Sequence, residues 1–469
     1  MSDMADARYP ADLGHHVRSY LNRKGEKPPS DEVITQLLET LFFASLRHEE
    51  AQPTLCRVAF IDRRNPDPKP PERIVTDRWK FFKLANDVPF TVSNLVKLSQ
   101  AVDPWGSTLA VDADVEGGLK IWGLIDQSVH FSAFLVKEVS SGPEMPGMFQ
   151  AVIEGIGEVS AYKNNVLLGT LKQDVLIAHQ HRVFDKGPVH SKMLPWIGKY
   201  RAMVKEVVGE VPYGARDHWE ESLNDLWFSA LCRLLIGIHR YRHGGAVLIS
   251  DDPADLAVKY SLEYPRLKDA LVRVGTQEIL KTFYSDEIFE TYIDQHRPEM
   301  PVNLHLDESL AADQFEGSRN ELKGCLRFLT SLSRVDGLLW LDSDLCLRGF
   351  GVEITIQNDP AAAFAAQNSD ATKRTVLVPN HFGMRHRSML RYCGVHENAV
   401  GFVVSQDGDV RTITKVDEAV ILWDRTRLQS VRTPRSSKSL HHHRVHRRKR
   451  KRKRGLARGQ ATDPGDSPA

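Results

Sequence analysis

The chain reads as an α/β (mixed α+β) protein, and three observations predict it. A unit of helix, glycine-bearing corner and buried strand occurs three times. Ser93–Val102 leads through Asp103-Pro104-Trp105-Gly106 into Thr108–Val111. Trp227–Tyr241 leads through His243-Gly244-Gly245 into Ala246–Ile249, and Arg319–Arg334 through Asp336-Gly337 into Leu338–Leu341. The first and third units continue into a second apolar strand, Leu119–Gly123 and Leu347–Gly351. Finally, 41% hydrophobic and 26% charged residues over 469 positions are the composition of folded domains with two or three cores. The repeat is either an old duplication or the ordinary frequency of helix–turn–strand steps in α/β proteins.

Taken in order, residues 1–55 form an N-terminal helical segment. Val33, Leu37, Leu38, Leu41 and Phe42 stand at helical spacing, predicting a helix over Asp31–His48 capped by Ser30 or Asp31. The run Asn65-Pro66-Asp67-Pro68-Lys69-Pro70-Pro71 predicts a loop, because consecutive prolines fix φ and remove amide donors. Residues 56–215 read as an α/β accessory domain, a candidate sensor. Within it Gly157–Tyr162, an Asn164-Asn165 turn and Val166–Gly169 predict a hairpin. Residues 188–225 read as loop and helix at a junction. A second domain covers 216–424 and closes on the apolar strand Ala419–Trp423; from 425 to 469 apolar periodicity is lost and a disordered basic tail is expected.

Charge is divided unevenly. Residues 425–458 hold 15 Lys or Arg and no acidic residue, leaving residues 1–424 with 47 basic and 59 acidic side chains, a net of −12. The run 444–454 would bind nucleic acid or another polyanion by counterion release, without sequence preference and without aromatics for base stacking. The preceding His441-His442-His443 reads as a solvated tract. No apolar run reaches the roughly 18 residues of a membrane span, so no membrane partner is expected. Cys56, Cys232, Cys325, Cys346 and Cys393 are scattered without metal-site or disulfide spacing, which fits a reducing cytoplasm. His179 and His181 share a face if they lie on a strand, with His190 a third candidate ligand; satisfied histidines are the simpler reading.

The chemistry concentrates in two short segments. Thr375–Pro379 predicts a strand, Asn380–Met384 a loop, and Arg385–Cys393 a helix closed by Gly394. Gly383 permits close approach of a ligand to the helix mouth, where unpaired N–H groups favour an anion. Arg385 and Arg387 each offer a bidentate fork to phosphate; His386 suits metal or phosphate, and Ser388 a phosphate or a helix cap. The alternative is a solvated basic turn. Upstream, Asp336 opens an apolar strand, where a buried carboxylate would want a metal ion or a ribose hydroxyl. Gly337 leaves room for a base or sugar. The alternative there is a plain helix-to-strand corner.

Together these segments resemble the signature motifs of the diadenylate cyclase (DAC) domain superfamily, which carries Asp-Gly-Ala on one strand and Gly-x-Arg-His-Arg-small-small at a later helix start. The equivalents are Asp336-Gly337-Leu338 and Gly383-Met384-Arg385-His386-Arg387-Ser388-Met389, and the likeness covers 319–424 firmly and 220–424 loosely. It implies a central mixed sheet flanked by helices, with two such domains facing each other, each holding one ATP. It further implies Asp336 as the catalytic or metal-holding carboxylate, and Arg385, His386 and Arg387 around the polyphosphate. Gly337, Leu338, Gly383 and Ser388 would line the nucleotide, and Mg²⁺ or Mn²⁺ would be the cofactor. The hairpin Gly401–Arg411, with Arg391-Tyr392-Cys393 before it, is similar to the DACNV proteins, bacterial cyclase relatives proposed as sensors. Asp407 stands where some cyclases hold metal, although it also suits a structural turn.

Leu338 and Met389 replace small residues, and Gln406 replaces a carboxylate. A misplacement of roughly 1 Å costs about a hundredfold in rate. The expectation is therefore a sensor that binds an adenine nucleotide or cyclic dinucleotide. An active diadenylate cyclase, making cyclic di-AMP and pyrophosphate from ATP, is the alternative. A nucleic-acid-binding protein acting through the tail is the third reading.

Overall fold

The computed structural model describes residues 8–25, 29–50, 52–67, 78–114, 117–127, 148–163, 166–177, 180–209, 216–241, 243–288, 292, 295, 299–405 and 409–428. The fold is mixed α+β and divides into two compact units, with the boundary between residues 176 and 177.

The first unit opens with α1 (Pro10–Arg23) and α2 (Asp31–Ser45). Ser30 caps α2 by accepting from the Val33 amide at 3.3 Å, and Val33, Ile34, Leu37, Leu38, Leu41 and Ala44 form its buried stripe. The helix stops three residues before His48, because His48–Glu49 (β1) pairs with Gln52–Pro53 (β2) in a short ribbon. There follow β3 (Cys56–Phe60), β4 (Lys80–Pro89), α3 (Val92–Ser99), β5 (Ser107–Ala113), β6 (Leu119–Asp126), β7 (Phe149–Gly155), β8 (Glu158–Lys163), β9 (Val166–Lys172) and β10 (Val175–Ile177). They build an eight-stranded sheet in the order β10-β9-β8-β7-β3-β5-β6-β4. The helices share one core with this sheet through Leu13, Val17, Leu37, Leu41, Leu95, Val58, Leu109 and Ala151. Residues 10–45 are therefore part of the domain rather than a separate segment. The β8–β9 hairpin forms as expected, and its Asn164-Asn165 turn lies outside the described residues.

The second unit contains α4 (Pro188–Val208), α5 (Arg216–Arg240), β11 (Gly245–Ile249), β12 (Leu256–Tyr264), α6 (Arg266–Glu287), α7 (Val302–Leu332), β13 (Leu338–Leu341), β14 (Leu347–Ile354), β15 (Ala363–Ala366), β16 (Arg374–Val376), α8 (Met384–Val395), β17 (Val400–Val404), β18 (Val410–Val416) and β19 (Ala419–Trp423). It begins earlier than residue 216, because Met193, Ile197 and Tyr200 of α4 enter the same core as Val247, Leu339 and Phe402. Helix α7 starts seventeen residues before the expected Arg319. Its first half buries only Ala311 and Phe315, while Val302, Leu306 and Leu310, four residues apart, form an apolar stripe that stays exposed. At the other end Thr426 still bonds the fold, its amide donating to the Val410 carbonyl at 2.7 Å, which moves the start of the tail past 425.

The nine-stranded sheet runs β12-β14-β13-β11-β17-β18-β19-β15-β16. Its segment β17-β11-β13-β14-β12 repeats the first unit's β7-β3-β5-β6-β4. In both, the first-formed strand is parallel to the one that follows the helix (β11 with β13, β3 with β5), and all other neighbours in the segment are antiparallel. The repeat seen in the sequence is thus a repeat of topology.

Helix α8 covers the sheet face opposite to α4 to α7. Met389 and Leu390 are fully buried there against Ala246, Leu248, Leu338 and Val352, each burial worth about 1.5–3 kcal/mol. A Cβ on Gly401 would lie 2.2 Å from Met389 Sδ, so the methionine is packed onto bare backbone.

At the head of β13, Gly337 has φ +115° and a Cβ there would lie 2.5 Å from the carbonyl carbon of Gly351, itself at φ +63°. Gly337→Ala is expected to cost at least about 1–3 kcal/mol in strain alone. Gly383→Ala, where φ is −65° and a Cβ would meet nothing within 4 Å, is expected to cost about 1 kcal/mol or less. Equilibrium urea denaturation of the two variants checks the contrast.

Candidate functional site

The corner at Asp336 and the mouth of α8 meet. Asp336 follows the turn that ends α7, and Gly337, pressed against Gly351, lifts it onto the rim of the sheet. Its carboxylate is fully exposed, so the burial cost that demanded a partner in the sequence does not apply; water solvates it. It nonetheless faces Arg385, whose Nη2 lies 3.8 Å from Oδ1, while Arg385 Nη1 donates to the His243 carbonyl at 3.4 Å. The glycine corner before β11, the corner before β13 and the start of α8 are thereby drawn to one place.

Gly383 occupies the N-cap of α8, and no side chain among the described residues caps the helix, so its first-turn amides face an open mouth. Ser388 lies inside the helix rather than at its cap, and is half-buried. Helix geometry turns successive residues by about 100°, which separates Arg387 from Arg385 by about 200°. Arg387 accordingly reaches Asp359 at 3.6 Å, sharing it with Arg391, whose Nε donates to Asp359 Oδ1 at 2.7 Å. The Nε of Arg387 is buried without a hydrogen-bond partner among the described residues. The two arginines do not form one clamp.

His386 adds no charge to the mouth at neutral pH. Arg411 Nη1 donates to its Nε2 at 2.9 Å, and burial, followed by the positive field of Arg411, lowers its pKa to about 4. Arg411 is in turn held by Asp424 at 2.7 Å, and lies over the Phe382 ring. Arg411 is the site residue that the motif did not single out. Its signal was a charged residue on β18, in the return strand of the hairpin read from sequence.

Leu338 is 7% exposed and packs with Met389 in the core under α8, so the two bulky departures from the cyclase pattern face the core. Asp407 and Gln406 lie outside the described residues. Among the described residues no three His, Cys, Asp or Glu side chains converge on a point that would hold a metal. Asp336 alone supplies one carboxylate, a donor set that fits Mg²⁺ or Mn²⁺ only when phosphate oxygens complete the shell. His190, a candidate ligand, stacks on Phe228 at 5.5 Å and burial lowers its pKa; His179 lies outside the described residues. All five cysteines are free and buried, as their spacing suggested.

The other end of α8 carries a second polar cluster. His396 sits between Asp252 (Nδ1 to Oδ2, 3.0 Å) and Asp255 (Nε2 to Oδ2, 3.1 Å), stacked on Tyr392 at 4.1 Å. Tyr392 donates to the Asp252 carbonyl at 2.6 Å, tying the loop after β11 to the helix.

With this geometry in view, the class of protein is a mixed α+β chain of two units, the first of which is similar in part to a family described as a probable sensor. Residues 23–126 match the family model described as Probable sensor domain DACNV, from the end of α1 through β6. The resemblance to DACNV proteins is thus shown for residues 23–126, and the hairpin at 401–411 lies outside the matched segment. No curated protein and no solved structure matches the chain. No helix among the described residues is long and apolar enough to cross a membrane.

The His386 shift gives a signed prediction. Below pH 6.5 the unfolded chain binds a proton that native His386 refuses until about pH 4, so acidification through that window disfavours the native state. His386→Gln keeps an acceptor for Arg411 and does not titrate. Thermal melts should show the variant gaining on the wild type as pH falls from 6.5 to about 4; a constant gap across that range would sink the assignment.

Proposed function

We propose that the protein is a sensor whose second unit binds an adenine nucleotide or cyclic dinucleotide at the cleft between the Asp336 corner and the mouth of α8. The observation that carries this reading is the 3.8 Å approach of Arg385 to Asp336, which joins two segments far apart in sequence at an open helix N-terminus. Arg385 and the first-turn amides suit phosphate oxygens. Asp336 suits a ribose hydroxyl, or a divalent ion that phosphate completes. The Arg385–Asp336 contact is exposed and worth about 0–1 kcal/mol, so an incoming phosphate displaces little.

The divided basic segment favours sensing over turnover. Arg385 faces the cleft, while Arg387 is engaged by Asp359 and His386 by Arg411. Diadenylate cyclase activity is the alternative, and Asp336, exposed to solvent, is the residue it would require.

Calorimetry with ATP and with cyclic di-AMP is expected to show binding that weakens roughly tenfold or more in Arg385→Gln. Asp336→Asn should weaken binding mainly in the presence of Mg²⁺ or Mn²⁺. Cyclic di-AMP formed from ATP by the wild type and abolished in Asp336→Asn would replace the sensor reading with the cyclase. No affinity for either nucleotide would refute both.

The run 444–454 lies outside the described residues. Its charge supports a separate, nonspecific affinity for nucleic acid or another polyanion. Fluorescence anisotropy with single-stranded DNA should show that affinity falling steeply with salt and vanishing in a chain ending at Leu428; survival of binding in the shortened chain would exclude the tail.

A further inference from the structure

His386 keeps one ring nitrogen that the fold does not use. A guanidinium has N–H donors and no acceptor, so the 2.9 Å contact from Arg411 Nη1 fixes His386 Nε2 as the acceptor. In a neutral imidazole the single ring proton must then sit on Nδ1. That atom has no hydrogen-bond partner among the described residues, and it is not one of their buried unpaired atoms, so solvent reaches it. The ring stands on the first turn of α8, directly after Arg385, where no side chain caps the helix amides.

The residue that holds His386 is itself held. Arg411 Nε donates to Asp424 Oδ1 at 2.7 Å, and its guanidinium lies 5.8 Å from the Phe382 ring centroid. Phe382 is 5.6 Å from the His386 ring, so one aromatic side chain lies against both partners. Arg411 sits opposite Val403 in the β17–β18 ladder, and Asp424 directly follows Trp423, which pairs with Thr412. The relay Asp424–Arg411–His386 thus runs from two paired strands to the first turn of α8.

The charge state is fixed along with the tautomer. Burial, then the fields of Arg411 on β18 and Arg385 on α8, disfavour the imidazolium, and Asp424 beyond β19 opposes them. Between about pH 5 and 8, where an ordinary histidine changes charge, the first turn therefore presents one outward cation and one neutral N–H.

We infer that Arg411 is a positioning residue, which with Asp424 holds His386 as a neutral Nδ1–H donor for an anionic oxygen of the ligand in the cleft. The inference rests on the cleft reading and adds to it the residue that sets the protonation of the site. A neutral donor selects a phosphate oxygen by direction, so its contribution stays constant where a free histidine would switch.

The first arm of the test needs no ligand. Long-range nitrogen–proton correlation spectra of the full chain, labelled at histidine, resolve the tautomer of each ring, and His386 is assigned by its absence in His386→Gln. The wild type is expected to show the Nδ1–H tautomer, neutral until about pH 4. In Arg411→Met the Nε2–H tautomer should appear and the ring should titrate closer to 6.5. Arg411→Lys, which keeps a donor and a charge, should restore the wild-type tautomer. The second arm reads calorimetric affinity for cyclic di-AMP, whose phosphodiesters keep their charge across this range. That affinity should stay level in the wild type from about pH 8 to 5. In Arg411→Met it should strengthen roughly threefold or more over the same fall, because the ring then gains a charge that attracts the anion. A purely structural role for Arg411 would weaken binding alike at every pH. The inference is overturned if wild-type His386 carries its proton on Nε2 or titrates near 6.5, which the wild type decides even should Arg411→Met not fold. Coincident pH profiles for the wild type and Arg411→Met also overturn it. Expected spectra with no affinity for cyclic di-AMP would overturn it through the cleft reading on which it rests; contrary spectra with intact binding would overturn it alone.

Discussion

The approach of Asp336 to Arg385 depends on one steric constraint, the contact of two backbones at Gly337 and Gly351. Both residues have positive φ, and a Cβ at either would intrude on the other strand or on Tyr260. The β13–β14 pairing shifts register on both sides of Trp340, so the strands leave the regular ladder where they are closest. Because the chain enters β13 through this bend, Asp336 is held outside the sheet, where its carboxylate keeps its hydration. A regular corner would draw that carboxylate towards the apolar strand and oblige it to find a permanent partner. The bend instead leaves Asp336 with a loose contact to Arg385, long enough to be exchanged for a ligand.

The charges around α8 follow from the direction in which each side chain leaves the helix. Helical rotation sends Arg387 and Arg391, four residues apart, to the one carboxylate of Asp359, and leaves Arg385 alone towards Asp336. His386, between them in sequence, is turned to Arg411 and made neutral by burial and by that neighbour's charge. The positive potential of the mouth therefore comes from Arg385 and from the exposed amides of the helix. Asp424 and Asp359 neutralise the cations that do not face the opening. A run of basic residues has become one outward-facing cation with supports.

Much of this was legible in the sequence where local pattern and burial agree. The strands at 246–249, 338–341 and 419–423 are continuous apolar runs bounded by turns, and they form buried strands of the second sheet. Ser30 capped α2 as its chemistry required. Helix α7 was half missed although Val302, Leu306 and Leu310 recur at helical spacing, and the stripe they form stays exposed instead of packing on the core. The boundary near 215 was misplaced because α4 joins its core through side chains whose spacing reveals a helix but not its partner. At the site, sequence order suggested that Arg385, His386 and Arg387 act together, and only the helix phase shows that they point to different acceptors. Arg411 was hidden for the complementary reason: it reaches His386 from β18, a relation that spacing along the chain does not encode.

The repeated strand order gives the two units a common starting point and makes their difference informative. A sheet buried on one side by helices must still dispose of its other face. The second unit does so with α8, whose Met389 fits the bare backbone of Gly401 and whose N-terminus, as a by-product of that docking, is delivered to the Asp336 corner. The first unit meets the same requirement in two ways: an apolar cluster that includes Ala59, Ile61, Trp79, Ala110 and Trp122, and beside it Arg57, two glutamines, serine and threonines, whose burial is favourable only when their polar atoms are paired. An apolar face needs nothing more than a helix to cover it. A polar patch is stable under cover only where its atoms pair, as Gln127 does with Thr108, Arg57 with Gln150 and Ser160 with Thr170.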